Sequence, residues 1–177
     1  PLHHTAGEGW SPELMRRDLP ALAAPAAAPL PPAPAFTYHD YVRWQRALLD
    51  GAEGERLWEF WRDQLAGPLP LLDLPGDQPR PLIQRYDGAS CALDLSPGLG
   101  QALQQLAQAE GATRFELLLA AFFPLLHRCT GQEDLLVGAP HAGRSRPEFA
   151  PLVGYFVNPL VLRAAVDPGI SFSRLLG

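Results

Sequence analysis

The sequence contains no lysine: all 14 of its basic residues are arginine, against 19 acidic ones, for a net charge of −5. Schiff-base chemistry on a lysine amine is excluded. A nucleic-acid surface is not expected either, because phosphates call for clustered positive charge. Cysteine is scarce. Cys91 and Cys129 lack CxxC spacing and fall in segments that read as a strand and a helix. Both are expected to be buried, reduced thiols of a cytoplasmic protein. Long apolar runs are missing as well. The longest, 117–126, is too short for a membrane span and contains Pro124, so no membrane partner is expected. There is no GxGxxG motif, phosphate loop or internal repeat. His39, His127 and His141 have no ligand spacing among themselves, so each reads as structural or solvated and no metal is expected.

The chain's 177 residues are 47% hydrophobic, enough for a real core. Ser11-Pro12-Glu13 reads as a helix start with Ser11 as N-cap. It predicts a helix over 12–24 with Leu14, Leu19 and Leu22 on its buried side. A Pro/Ala tract over 25–35 cannot hold helix or central strand and reads as an extended linker. Beyond it, Tyr38, Tyr41, Trp44 and Leu48 recur three or four apart, one face of a helix capped by Thr37. Leu57, Trp61 and Leu65 mark a second helix that stops at Gly67-Pro68.

Alternation over 85–95 predicts a strand. Ser96-Pro97 opens a helix facing inward through Leu99, Leu103 and Leu106 and ending at Gly111. Thr113 to Glu116 has the form of a capping box. The helix that follows, 114–129, is apolar nearly all round, is expected to be buried, and should kink at Pro124. Two short strands follow, over 134–140 and 156–166, the second marked as an edge or bulged strand by Pro159. The class is α/β (α+β), without the regular alternation of a doubly wound sheet.

Chemistry is concentrated at the amino end. His3 and His4 lead through Thr5-Ala6-Gly7-Glu8-Gly9-Trp10 into the first helix. A neutral imidazole is the commonest general base near pH 7. Backbone N–H groups and a helix N-terminus beside it could meet a developing oxyanion. This stretch resembles the HHxxxDG motif of condensation domains in nonribosomal peptide synthetases, and EGWS is similar to the DGWS that completes it there. Residues 38–45, YHDYVRWQ, are similar to the family's YxDYAxWQ motif, and residues 153–163, VGYFVNPLVLR, to its IGxFVNTLxLR motif. FWRDQLAG and the stretch from Leu118 to Arg144 match the connecting text. The likeness covers essentially the whole chain, in order.

That resemblance implies a partial two-lobed chloramphenicol acetyltransferase-like fold. Residues 1–24 would end the N-lobe, 25–35 link, and 36–177 begin the C-lobe. The strands before the histidines and the later motifs are expected to lie outside this chain, and the fragment alone is expected to be inactive. The implied reaction is attack of a carrier-bound acceptor amine on a carrier-bound donor thioester. No cofactor is bound directly. Substrates arrive on the 4'-phosphopantetheine of donor and acceptor peptidyl carrier proteins, beside an adenylation domain in a multidomain synthetase.

The implied catalytic residues are His4, His3 and Gly9, with His3 supporting the loop and the Gly9 N–H facing the donor carbonyl. Glu8, where the family has Asp, and Arg144 would form a structural pair, with Arg146 the second choice of partner. Trp10, Tyr155 and Asn158 are expected to line or close the substrate tunnel. An epimerization domain and a non-catalytic docking platform are the rival readings.

Overall fold

The computed structural model describes residues 3–23, 32–76 and 82–176. Two compact units are present: residues 1–68 with 138–161, and residues 69–137 with 162–177. The described residues on both sides of the Pro/Ala tract belong to the first unit. Residues 25–31 of that tract lie outside the described residues.

The first unit holds α1 (Trp10–Ala23), α2 (Tyr38–Leu49) and α3 (Ala52–Gln64). Helix α2 starts on a full capping box: Thr37 accepts from the Asp40 N–H while the Asp40 carboxylate accepts from the Thr37 N–H at 2.7 Å. The Thr37 hydroxyl and N–H, then Arg43, hold the Asp40 carboxyl down at about 2. This cap therefore stays intact above the ordinary carboxylate range and is lost only as pH falls toward 2. The predicted face of α2 forms as spaced. Tyr41 is buried and Tyr38 half-buried, and with Trp44 they pack on Phe149, Leu152 and Phe156. Rings in this cluster meet edge-on or tilted, Tyr41 and Phe156 at 4.4 Å between centroids. Helix α3 half-buries Leu57, Trp61 and Leu65, and the chain leaves it through Gly67 at φ 77°.

Helix α1 departs from expectation. It begins at Trp10, so Ser11 lies inside it, fully buried, and its hydroxyl serves other partners. Leu14 is half-buried, but Leu19 and Leu22 are exposed.

The second unit contains α4 (Pro97–Ala109), α5 (Arg114–Thr130) and α6 (Phe172–Leu176). Ser96 caps α4 and Gly111 follows its end at φ 68°. The buried side of α4 runs through Ala107, with Leu103 half-buried, and not through Leu99 and Leu106, which are exposed. Helix α5 has the predicted capping box, runs unbroken past Pro124 and ends on Gly131 in the left-handed region. Only one of its faces is buried: Leu117, Ala120, Phe123 and Leu126. Phe115, Leu118, Phe122 and Leu125 are exposed, contrary to the all-round burial expected. Phe123 and Leu126 pack with Leu135 and Val166.

Strands β1 (Asp134–His141) and β2 (Asn158–Ala165) form a two-stranded sheet among the described residues. Val166 N–H donates to Glu133 at 2.7 Å, and Arg163 forks onto both Asp134 oxygens at 2.9 and 2.7 Å. The start of β1 thus faces the end of β2, an antiparallel register. This fork holds the Asp134 carboxyl below its usual range. Pro159 sits near the start of β2, where an edge position tolerates its missing N–H.

The predicted strand over 85–95 is not formed. Residues 82–95 are all exposed, and no described strand pairs with them. Alternation supplies two faces, but a strand also needs a neighbour for its N–H and C=O groups. Cys91 is consequently exposed, as is Cys129 on the open side of α5; both are free thiols and neither is buried as expected. No helix among the described residues is long and apolar enough to cross a membrane.

Candidate active site

The histidine loop is a single 3-10 turn, His4–Ala6, followed by an extended crossing into α1. His3 caps the turn. Its Nδ1 accepts from the Thr5 N–H at 3.3 Å and lies 2.8 Å from Thr5 Oγ1. This contact occupies one nitrogen of His3. The His4 ring is exposed and touches Tyr155 edge-on, 5.3 Å between centroids at 72°. His4, Thr5, Tyr38 and Tyr155 line an open hollow of about 440 Å³, within the range of small-molecule sites.

The loop is anchored four residues beyond His4. Glu8 and Arg144 are brought together with their side chains 4% and 5% exposed. Arg144 Nη2 and Nε both donate to Glu8 Oε1, at 2.7 and 3.1 Å. Oε2 accepts from Ser11 Oγ and from Phe156 N–H, each at 3.4 Å. Arg144 Nη1 donates to the carbonyls of Phe149, Ala150 and Leu152, at 2.8, 3.2 and 2.8 Å. The guanidinium also lies 3.9 Å above the Phe156 ring. A planar fork with five donors is the group that can bind a carboxylate and three carbonyls at once. Arg146 makes its ion pair with Glu148 instead.

The turn into Arg144 depends on Gly143 at φ 67°, where an added Cβ would stand 1.8 Å from the Phe156 carbonyl oxygen. Gly154 is confined by side chains rather than backbone. Ser11 Oγ donates to its carbonyl at 3.0 Å and accepts from its N–H at 3.1 Å. A Cβ there would come within 2.4 Å of Tyr38 Cδ2. We expect Gly154→Ala to cost about 1–3 kcal/mol by pushing the Tyr38 ring aside, read as a lowered midpoint in thermal unfolding. An unchanged midpoint would mean that the ring moves freely.

Trp10 and Asn158 stand apart from the hollow. The Trp10 indole N–H donates to the Ala150 carbonyl at 3.1 Å, and Asn158 is exposed at the start of β2. Gly9 lies at the turn into α1, where an added Cβ would meet nothing within 4 Å. No cluster of three or more metal-binding side chains occurs among the described residues. His127 Nδ1 sits 2.9 Å from the Gln132 carbonyl, and His141 Nδ1 accepts from the Gly143 N–H at 3.1 Å.

Three contributors were not read as site residues from sequence. Ser11 looked like a cap, Tyr38 like core, and Phe156 like strand filler. The Trp-Ser pair after Glu8-Gly9, similar to the end of the family's DGWS, was the available signal for Ser11. Burial raises the Tyr38 phenol's pKa, with Glu8 and then Tyr155 adding to it.

A paired-histidine loop clamped by a buried carboxylate–guanidinium pair thus stands beside an open hollow. Residues 1–177 match the family described as Condensation domain, and the chain belongs to that family. It is 43% identical over 178 residues to the phosphinothricin tripeptide synthetase PhsC of Streptomyces viridochromogenes, covering 98% of this chain and 16% of that protein.

Among solved structures it resembles the first condensation domain of the calcium-dependent antibiotic synthetase, in complex with a substrate analogue. The TM-score is 0.77 and the identity 28%, over 99% of this chain and 38% of that one. It also resembles the X-domain in its complex with OxyB from teicoplanin biosynthesis, with a TM-score of 0.82 and 28% identity, over 99% of this chain and 40% of that one. The chain thus spans well under half of each of these relatives.

Proposed function

We propose that this chain contributes the histidine loop of a domain that forms peptide bonds between carrier-bound substrates. The observation that carries the reading is the placement of His4 on an open hollow, on a loop tied down by Glu8 and Arg144. The acceptor amine attacks the donor thioester carbonyl, the C–S bond breaks, and the amine gives up one proton. With a pKa of about 8, an α-amine is already partly neutral near pH 7. His4 therefore positions the amine or takes its proton as the tetrahedral intermediate forms. That proton passes to the departing thiolate, which stays on the donor carrier as a thiol. His3 holds the turn and the Gly9 N–H faces the carbonyl oxygen.

Donor and acceptor reach the site on the 4'-phosphopantetheine arms of peptidyl carrier proteins, with an adenylation domain alongside. Similarity to a tripeptide synthetase supports that setting. Two free cysteines suit a reducing, cytoplasmic compartment. Residues 1–24 are assigned to the N-lobe and 36–177 to the C-lobe.

The test is a condensation assay on the complete domain with loaded donor and acceptor carriers. Dipeptide on the acceptor carrier is the expected product. A second reading, a non-catalytic docking platform, draws on the similarity to the X-domain bound to OxyB; absence of dipeptide with both carriers loaded would favour it.

Glu8 stands where the family's motif has aspartate. Its longer side chain reaches Arg144 at 2.7 Å and remains buried, which supports a loop adjusted to glutamate over a slow domain. Glu8→Asp should bring no gain in rate and a loss of up to about tenfold, since small displacements near the chemistry are costly. A clear gain would mean that glutamate holds His4 out of place.

A further inference from the structure

Three consecutive residues, Gly154 to Phe156, are held by four different partners. Both peptide groups of Gly154 are bonded by Ser11 Oγ. The Tyr155 carbonyl accepts from Tyr38 Oη at 2.6 Å. Phe156 is tied by its N–H to Glu8 and by its ring to Arg144. Gly154 and Phe156 are buried while Tyr155 between them is 40% exposed. The Tyr155 ring is the exposed side chain of these three residues, and it meets His4. The backbone beneath the ring is hydrogen-bonded at all three residues.

From this we infer that Tyr155 is a positioning residue for His4: its ring edge fixes the imidazole plane at the hollow and thereby the direction in which the free nitrogen points. The inference rests on the catalytic role given to His4 above. The contact is between rings. The Tyr155 carbonyl, not its hydroxyl, makes the bond to Tyr38, so the phenolic oxygen is dispensable. An imidazole that swings off its attack direction loses turnover and not substrate affinity, because neither carrier is held by that ring contact.

The experiment compares single-turnover dipeptide formation by the complete domain as wild type, Tyr155→Phe, Tyr155→Leu, His4→Ala and the His4→Ala/Tyr155→Leu double variant. Tyr155→Phe should stay within about threefold of wild type. Tyr155→Leu should lose 10- to 100-fold in the limiting single-turnover rate, with the carrier concentration at half that rate unchanged. In the His4→Ala background the same leucine should cost less than threefold. A phenylalanine variant as slow as the leucine variant would overturn the inference, and so would an equal leucine effect in both backgrounds.

A second measurement does not depend on activity. The His4 ring proton resonances of the complete domain should shift in Tyr155→Leu and stay near wild type in Tyr155→Phe. Unchanged resonances in both would also overturn it. If His4→Ala alone leaves the rate intact, it is the catalytic reading that falls, a result separate from any Tyr155 effect.

Discussion

His4→Ala in the complete domain should lower the single-turnover rate of dipeptide formation by about 10²–10⁴-fold, the usual contribution of a positioned acid–base group. The thermal midpoint should hardly move. His4 is exposed, and its described contact is the ring edge of Tyr155; surface truncations of that kind stay within about 0.5 kcal/mol. Together these results would place the loss in the chemical step.

His3→Ala should behave differently. It removes the side-chain acceptor with which His3 caps the turn at the Thr5 N–H, loosening the loop and giving a smaller rate loss together with a small loss of stability. The contrast assigns the two adjacent histidines to separate duties. A His4→Ala rate within twofold of wild type would remove His4 from the mechanism, and equal effects of both substitutions would make the pair merely structural.

Much of this site can be read from residue types and spacing. The resemblance implies that a carboxylate in this loop pairs with an arginine, and Arg144 closes a stretch that resembles the family's own. The α2 stripe follows from period alone, because Tyr38, Tyr41 and Trp44 pack on one cluster within the first unit. What could not be read is what covers each face. Alternation over 85–95 matches a strand, yet those residues are exposed and no described strand pairs with them. Leu19, Leu22, Phe115 and Leu125 are apolar at helical spacing and stay exposed. Periodicity reports which side chains share a face, not whether a neighbour packs against it. Ser11 illustrates the opposite limit. Its type suits a cap, and only the fold reveals that the same hydroxyl reaches a backbone 143 residues away.

The same pattern of partners makes Arg144→Met the most damaging substitution expected for stability. Removing one member of a buried, hydrogen-bonded ion pair costs about 3–5 kcal/mol, because the remaining charge is left uncompensated. Here the loss is compounded. Glu8 Oε1 keeps no donor among those described, and the carbonyls of Phe149, Ala150 and Leu152 lose the one they share.

Arg144→Lys should rescue little, since an ammonium cannot reach a carboxylate and three carbonyls from one plane. Glu8→Leu/Arg144→Met removes both charges and should be more stable than Arg144→Met alone, though below wild type because the Leu152 carbonyl still lacks its described donor. Its condensation rate should nevertheless remain as low as that of the single variant. The loop bearing His4 is then held by neither charge. Denaturant unfolding and loaded-carrier assays on the four proteins read both quantities. A stability loss under 1 kcal/mol for Arg144→Met, or a double variant that regains the rate, would show that the pair does not hold the loop in its working position.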